Sequence, residues 1–189
     1  MLGEDLPADG DGDDDGDDTL RVEIGKLNDL LLRDTQGLLK AAAPRWPLLI
    51  DPSGQSTVFL TYADTNFVQV CNPSATEPNK LRRGLLGAIR YGKPLVLDCM
   101  DVDMRDEIEA AFGRVEPGLF ARLLDRSLLE GEAFLSLVHA ADGDEYEYKA
   151  INFDPRRVDR FQLIVITRMR RPSDKMLDGM LPVRVAIGP

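Results

Sequence analysis

Residues 45–56 read Arg-Trp-Pro-Leu-Leu-Ile-Asp-Pro-Ser-Gly-Gln-Ser, and this stretch decides the fold that we expect. The continuous apolar run at 46–50 is typical of a short strand that is buried on both faces. Residues 51–54, Asp-Pro-Ser-Gly, have the composition of a tight turn. Residues 55–64 can then form a helix. A strand, a tight turn and a helix in this order predict the beginning of an α/β domain.

The same alternation continues along the rest of the chain. We predict helices over residues 20–43, 55–64 and 77–91, and a mostly helical stretch over residues 105–130 that is broken near Gly113 and Pro117. We predict strands over residues 46–50, 67–70, 95–97, 161–166 and 183–187, and an extra strand over residues 134–138. Strands that alternate with helices pair in parallel and carry helices on both faces. The pattern therefore predicts an α/β three-layer domain over residues 45–189, preceded by a lead-in helix within residues 19–44.

The negative charge of the chain is concentrated at its N-terminus. The formal net charge is −10, and residues 1–18 contain nine acids and no base. We predict an acidic, disordered tail there, with a calcium-binding loop that begins at Asp11 as the alternative. The rest of the chain is nearly neutral, which argues against a nucleic-acid partner. No apolar run reaches the about 18–20 residues that span a bilayer, so we expect no membrane partner.

One stretch, residues 87–93, matches the phosphate-loop pattern G-x-x-x-x-G-K. A phosphate loop follows a strand and opens a helix, so that its backbone N–H groups face the phosphates. Residues 87–93 instead follow a predicted helix and precede a predicted strand. Pro94 supplies neither an N–H group nor a hydroxyl. We therefore interpret Gly92 as the C-cap of a helix.

The turn after the first strand is the position where a phosphate loop is expected. There Gly54, Gln55 and Ser56 stand where G-K-[ST] would stand, after Ser53 in the same turn. Gln55 thus replaces the lysine that contacts the β- and γ-phosphates. This substitution predicts either a phosphate loop that has lost its function or a plain strand-to-helix turn.

Two other strand ends carry residues that suit a nucleotide site. Asp98 ends the third main strand, where such domains place a carboxylate that organises magnesium and water. Thr167 and Arg168 end the fourth, at the position of a polar sensor residue. Other catalytic groups are few, since the chain has one histidine, His139, and two cysteines without zinc-site spacing. We interpret the cluster Arg168, Arg170 and Arg171, and the pair Arg82-Arg83, as exposed charge that balances the acids, with phosphate or partner contact as the alternative.

Four ordered motifs resemble the fifth AAA unit of dynein heavy chains. Residues 45–56 resemble that unit's R-W-P-L-M-I-D-P-Q-G-Q-A, and residues 88–98 resemble its I-Q-F-G-x-P-V-L-L-E. Residues 161–172 resemble F-x-x-Y-I-T-T-K-L-R-N-P, and residues 183–185 stand for the V-K-V that follows. The resemblance covers about residues 45–187. It departs from the family at Asp98, which stands where the family has Glu.

The resemblance implies the large subdomain of a AAA+ protein, with a P-loop NTPase-like fold. That fold has a five-stranded parallel sheet of order 5-1-4-3-2, so strand 161–166 would lie between strands 47–50 and 95–98. Four residues should then meet at the edge where α/β sheets bind ligands: Ser53, Gly54, Asp98 and Thr167. Together with Gln55 and Ser56, they are the vestigial positions of the nucleotide site.

The resemblance also implies a function. The fifth dynein unit resembles a structural ring member that does not hydrolyse ATP, so we expect a degenerate, non-catalytic module that acts as a scaffold or interaction unit. No cofactor is expected, and ATP or ADP is the candidate ligand of an alternative, a sensor that binds nucleotide without hydrolysis. The implied partners are dynein-type or cytoskeletal protein domains, in the cytoplasm, on the cytoskeleton or in cilia. The chain would be a fragment or a free-standing relative, for which a protein with ankyrin repeats and an IQ motif is a candidate parent.

Overall fold

The computed structural model describes residues 19–140, 142 and 148–186. The predicted acidic tail and the calcium-loop alternative therefore lie outside the described residues. Among the described residues the chain forms one six-stranded parallel sheet. Its strands are β1 (Leu20–Glu23), β2 (Trp46–Ile50), β3 (Asn66–Gln69), β4 (Pro94–Asp98), β5 (Gln162–Thr167) and β6 (Met180–Ala186).

The order of the sheet is β1-β6-β2-β5-β4-β3. β5 pairs with β2 through Leu48 and Val165, and with β4 through Val96 and Ile164. The predicted place of strand 161–166 between the first and third main strands is therefore confirmed. The predicted five-stranded sheet is wrong, because β1 adds a sixth strand at the outer edge of β6.

The central position of β5 agrees with its burial on both faces. Leu163 and Val165 belong to one hydrophobic core, whereas Ile164 and Ile166 belong to the other. Successive side chains of a strand point to opposite faces, so these two cores lie on the two sides of the sheet. The three-layer arrangement predicted from the alternating pattern is thus present.

Seven α-helices are found in the described part of the chain: α1 (Leu38–Ala41), α2 (Gln55–Tyr62), α3 (Pro78–Tyr91), α4 (Arg105–Val115), α5 (Leu119–Leu124), α6 (Pro155–Val158) and α7 (Asp174–Leu177). Leucines of α3 and α5 fill the first core, and Leu60 of α2 fills the second. The break predicted near Gly113 and Pro117 is confirmed, since α4 ends at Val115 and a turn that contains Gly118 at φ 76° separates it from α5. No helix in this described part is long and apolar enough to cross a membrane.

The single lead-in helix predicted over 20–43 is wrong. Residues 20–23 form β1, followed by a 3₁₀ turn at Ile24–Lys26, a π-helical turn at Asn28–Leu32 and then α1. Leu20 and Val22 alternate with charged residues, which suits an edge strand with one face on the core. The spacing of the following leucines correctly indicated burial, since Leu27 and Leu31 are fully buried. These leucines lie in several short turns and not in one helix.

The extra strand predicted over 134–138 is also wrong. Residues Ser127–Leu137 form 3₁₀ turns that are kinked at Glu130–Glu132. Phe134 and Leu137 are both buried in the first core. Side chains three residues apart face the same side of a 3₁₀ turn, whereas they would face opposite sides of a strand.

Candidate functional site

The carboxyl ends of β2, β5 and β4 meet at one edge of the sheet. Just beyond β2, the backbone N–H of Asp51 donates to the carbonyl oxygen of Thr167 at 2.9 Å. On the other side of β5, Asp98 stands opposite Ile166, and Cys99 N–H donates to the Ile166 carbonyl oxygen at 2.9 Å. The turn after β2, Thr167 and Asp98 are therefore neighbouring features of the edge where α/β sheets bind ligands.

The turn between β2 and α2 is built around the carboxylate of Asp51. Oδ1 accepts hydrogen bonds from the Ser53 backbone N–H at 3.0 Å and from the Ser53 hydroxyl at 2.5 Å. Oδ2 accepts from the Ser56 backbone N–H at 2.6 Å. The Gln55 N–H donates to the Ser53 hydroxyl at 3.2 Å, and the Gly54 N–H donates to the Asp51 carbonyl oxygen at 3.1 Å. Four successive backbone N–H groups of the loop are thus engaged within the loop itself.

This arrangement stabilises the ionised form of a buried acid. Asp51 is fully buried. Burial acts to raise its pKa, but the hydrogen bonds from Ser53 and Ser56 outweigh it together, so the pKa of this carboxyl lies below its ordinary value of 3.8. The loop therefore already contains an anion in the place where the N–H groups of a phosphate loop would hold a phosphate.

Gln55 is the first residue of α2 and is exposed. An amide at this position carries no charge, whereas the lysine of a phosphate loop brings a cation to the β- and γ-phosphates. Gly54, just before it, has a φ of 73°, which suits glycine because a side chain is strained there. The structure thus places Ser53, Gly54, Gln55 and Ser56 in a strand-to-helix turn. This turn has the position of a phosphate loop, but it lacks the lysine cation of such a loop.

Arg168 contributes a positive group beside this turn. A Cβ atom on Gly54 would lie 3.4 Å from Arg168 Nε, so the side chain passes directly over the loop. Arg168 is half-buried, and its Nε atom has no hydrogen-bond partner among the described residues. The interpretation of Arg168 as exposed charge is therefore wrong, although its placement after the fourth main strand was expected. The same interpretation is wrong for Arg82, which is buried and forms an ion pair with Asp142.

Asp98 and Thr167 are both fully buried, but they differ in how they are satisfied. Asp98 Oδ1 accepts from the Met100 N–H at 3.0 Å, while Oδ2 has no partner in the described part of the chain. Thr167 Oγ1 accepts from the Met169 N–H at 3.1 Å and points its own proton toward the Met100 carbonyl oxygen at 3.4 Å. Thr167 therefore supports the turn after β5, whereas Asp98 keeps one oxygen available.

Ser56, like Asp98, has a buried side-chain oxygen without a hydrogen-bond partner among the described residues. Its side chain is fully buried, and its hydroxyl lies close enough to Asp51 to lower the pKa of that acid. The hydroxyl nevertheless lacks the geometry of a hydrogen bond to any of the described residues. Among those residues no group of three or more His, Cys, Asp or Glu side chains could hold a metal ion. The edge thus contains separate polar atoms rather than an assembled metal centre.

The remaining sequence candidates lie away from this edge. Gly92 caps α3 at φ 64°, where its N–H donates to the Ile89 carbonyl oxygen, so the interpretation of the 87–93 motif as a helix end is confirmed. Lys93 therefore stands at the opposite end of β4 from Asp98. His139 is exposed, and its backbone N–H donates to Asp142 at 2.8 Å.

Sequence reasoning did not select Asp51 as a functional position. The signal that could have identified it is an aspartate at a strand end, two residues before a serine and five before a buried helix position. Asp and Asn side chains in such places accept hydrogen bonds from backbone N–H groups two or more residues ahead.

A comparison with known protein families found a match that covers part of this site. Residues 26–114 match the family model of the ATP-binding dynein motor region. This segment is therefore similar to a dynein AAA-like region. The matched segment includes β2, the Asp51 turn, α2 and β4 with Asp98, so it covers two of the three strand ends at the candidate site. No solved structure matches the chain.

Proposed function

We propose that the protein is a non-catalytic, dynein-like AAA+ module that acts as a structural or interaction unit of a dynein-related, microtubule-associated protein. One observation carries this proposal: the buried carboxylate of Asp51 accepts the backbone N–H groups of Ser53 and Ser56. In a working phosphate loop, N–H groups in these places are free for phosphate oxygens.

Charge supports the same conclusion. A phosphate that approached the turn would meet the ionised Asp51 carboxylate and the uncharged Gln55 amide. Like charges at short distance repel, and the repulsion is stronger in a buried site than in water. Arg168 supplies one cation beside Gly54, but it stands at the sensor side of the loop, not in the place of the missing lysine.

The test is an ATPase assay on the purified chain, with and without magnesium. We expect no turnover above background, and the Asp98→Ala variant should give the same trace. Magnesium-dependent turnover that Asp98→Ala abolishes would contradict the proposal, because it would assign a working role to the carboxylate at the end of β4.

A second candidate function is a sensor that binds ATP or ADP without hydrolysis. The observation that favours it is the unpartnered Oδ2 atom of buried Asp98, with the unpartnered Ser56 hydroxyl at the same edge of the sheet. Buried polar atoms without a partner are costly, and a ligand or its metal would satisfy them. Calorimetric titration with ATP and ADP separates the two functions. A Kd tighter than about 100 µM, which corresponds to about −5.5 kcal/mol, would replace the first proposal by the second.

We further propose that the dynein-like region corresponds to the fifth AAA unit, as its opening motif at 45–56 suggests, and that it functions on the cytoskeleton or in cilia. A parent protein with ankyrin repeats and an IQ motif, or a free-standing relative, would both suit a module without its own ATPase cycle. The domains that the full reading frame encodes test which parent protein is correct. Co-sedimentation of the tagged full-length protein with microtubules tests the cytoskeletal role, and an unchanged supernatant fraction would contradict it.

A further inference from the structure

A polar cavity lies at the end of the sheet opposite the edge that contains Asp51, Asp98 and Thr167. Its volume is about 490 Å³, and the residues that line it include Leu32, Asp64, Lys93, Arg157, Arg160 and Gln162. Lys93 and Gln162 mark the starts of β4 and β5, whereas Asp98 and Thr167 mark their ends. A strand rises about 3.3 Å per residue, so about 16 Å of β4 separates this cavity from Asp98.

The cavity has a positive balance of charge. Three cations line it, Lys93, Arg157 and Arg160, against one carboxylate, Asp64. Lys93 Nζ contacts Asp64 Oδ1 at 2.6 Å, so this pair largely cancels. Neither arginine forms an ion pair with another of the described residues. Two guanidinium groups on α6 and just after it therefore remain for an anion.

Close packing fixes the backbone that carries these two exposed arginines. A Cβ atom on Gly92 would lie 2.6 Å from the carbonyl oxygen of Arg157, so the backbone of α6 rests directly on the glycine that ends α3. Asp154 caps α6 by accepting the Arg156 N–H at 2.9 Å. Because one turn of helix follows this cap, Arg157 and Arg160 project from a short, anchored segment.

Gln162 adds an acceptor that nothing in the described part of the chain satisfies. Its Oε1 atom is buried and has no hydrogen-bond partner there. A buried acceptor needs a donor, which a carboxylate or an ionised phosphate lacks, but which a peptide backbone supplies through its N–H groups. Leu32, which is exposed, offers an apolar contact in the same cavity. The ligand that satisfies all three features carries carboxylates, backbone N–H groups and apolar side chains.

We propose that this cavity binds an acidic peptide segment of a partner protein, with carboxylates on Arg157 and Arg160, a backbone N–H on Gln162 and an apolar side chain against Leu32. This inference rests on the proposed role as an interaction unit and names the chemistry of the partner. The nucleotide titration and the ATPase assay do not involve this cavity, so a failure here is distinguishable from a failure of that proposal.

The test is a fluorescence anisotropy titration of the full chain with labelled acetyl-Glu-Leu-Glu-Leu-Glu-Leu-amide. The matched peptide has Gln in place of every Glu. We expect saturable binding of the first peptide only. The Arg157→Gln/Arg160→Gln variant should weaken it at least tenfold, since each charge-assisted hydrogen bond that is lost carries a large share of the binding free energy. The control variant Arg83→Gln/Arg171→Gln removes the same charge from exposed positions elsewhere, and its Kd should stay within twofold.

Four results would overturn the proposal. Equal weakening in both double variants would show attraction to net charge only. Equal binding of both peptides would show an apolar contact without a role for the arginines. Inorganic phosphate that displaces the peptide at equal concentration would assign the cavity to a simple anion. The fourth result uses a variant in which the acids of residues 1–18 are replaced by their amides. If this variant binds the peptide more tightly, and Arg157→Gln/Arg160→Gln removes that gain, the cavity is assigned to the chain's own acidic segment.

Gln162 supplies an independent check on the peptide backbone contact. Gln162→Leu removes the unpartnered oxygen, so we expect the Tm to rise or stay the same while peptide affinity falls several-fold. An unchanged peptide Kd in Gln162→Leu would overturn the backbone contact.

Discussion

The carboxylate of Asp51 holds the backbone N–H of Ser56 at 2.6 Å, across the turn that joins β2 to α2. This one contact relates the stability of the turn to the proposed absence of ATP hydrolysis. It satisfies an N–H group in the first turn of α2, and it places a fixed negative charge where a phosphate would otherwise bind.

The first prediction concerns the stability of this turn. Asp51→Ala leaves the buried Ser56 N–H and the partly buried Ser53 N–H without this acceptor, and the loss of an acceptor for a buried donor costs about 1–3 kcal/mol. We expect urea denaturation to show a free energy of unfolding that is lower by about 3 kcal/mol. Asp125→Ala is the matched control, because Asp125 accepts the Ser127 N–H at 2.9 Å in an exposed turn. A loss of similar size in both variants would show that burial of Asp51 is unimportant.

The second prediction concerns the missing lysine. Gln55→Lys restores the phosphate-loop residue, yet the Asp51 carboxylate still occupies the loop N–H groups. We expect calorimetry to show no heat of ATP binding in this variant. A Kd below about 100 µM would mean that Gln55 alone accounts for the lost site.

The third prediction concerns acid stability. Asp142 forms a buried ion pair with Arg82, whose NH1 group also donates to the Leu137 carbonyl oxygen at 2.7 Å. The hydrogen bond from Arg82 lowers the pKa of Asp142 from 3.8 to about 2, although burial opposes it. A lowered folded pKa contributes stability above the unfolded value and loses it as the pH falls, here between about pH 4 and pH 2.

The size of this effect is about 2 kcal/mol, because one pKa unit corresponds to about 1.4 kcal/mol. Asp142→Asn should lower stability at pH 7 by at least that amount, since it leaves a buried guanidinium without its counter-charge. The variant should also flatten the stability curve between pH 4 and pH 2, measured by urea midpoints. A curve as steep as that of the wild type would assign the acid sensitivity to other carboxyls, with Asp51 as the first to test.

The fourth prediction compares two glycines of α3 and its cap. Gly92→Ala places a Cβ 2.6 Å from the Arg157 carbonyl oxygen at a φ of 64°, so it should cost more than about 2 kcal/mol. Gly84→Ala meets nothing within 4 Å inside the helix and should stabilise the protein by about 0.5–1 kcal/mol. Thermal melts of the two variants should therefore shift in opposite directions. A stabilising Gly92→Ala would show that α6 does not rest on this cap.

The fifth prediction concerns the two thiols. Cys71 is exposed, whereas Cys99 is buried and burial raises its pKa to about 12. Reaction requires the thiolate, so a thiol reagent at pH 8 should label Cys71 quickly and leave Cys99 unlabelled until denaturant is added. Cys71→Ser should abolish the fast phase. Fast labelling that persists in Cys71→Ser would show that the β4 end opens in solution.

The sequence alone was enough for the α/β class and for the central strand. Strand-turn-helix chemistry at 45–56 and the β-branched run at 161–166 are local signals, and burial on both faces follows from their apolar composition. The replacement of the phosphate-loop lysine by Gln55 could be seen from the sequence too, because it is a matter of residue identity at an expected position.

Only the tertiary structure decided three other features. β1 exists because Leu20–Glu23 finds β6 near the far end of the chain, and a four-residue strand has too short a pattern to compete with the helical spacing of the leucines that follow. The role of Asp51 depended on the angle at which the turn enters α2, which brings the Ser56 N–H to its carboxylate. The polar cavity at the other end of the sheet depends on parallel pairing of β4 and β5, which places Lys93 beside the arginines of a distant segment. Contacts between residues far apart in sequence decide β1 and the cavity, and local propensity carries no information about such partners. The Asp51 contact joins residues five apart, and the backbone conformation of the turn decides it.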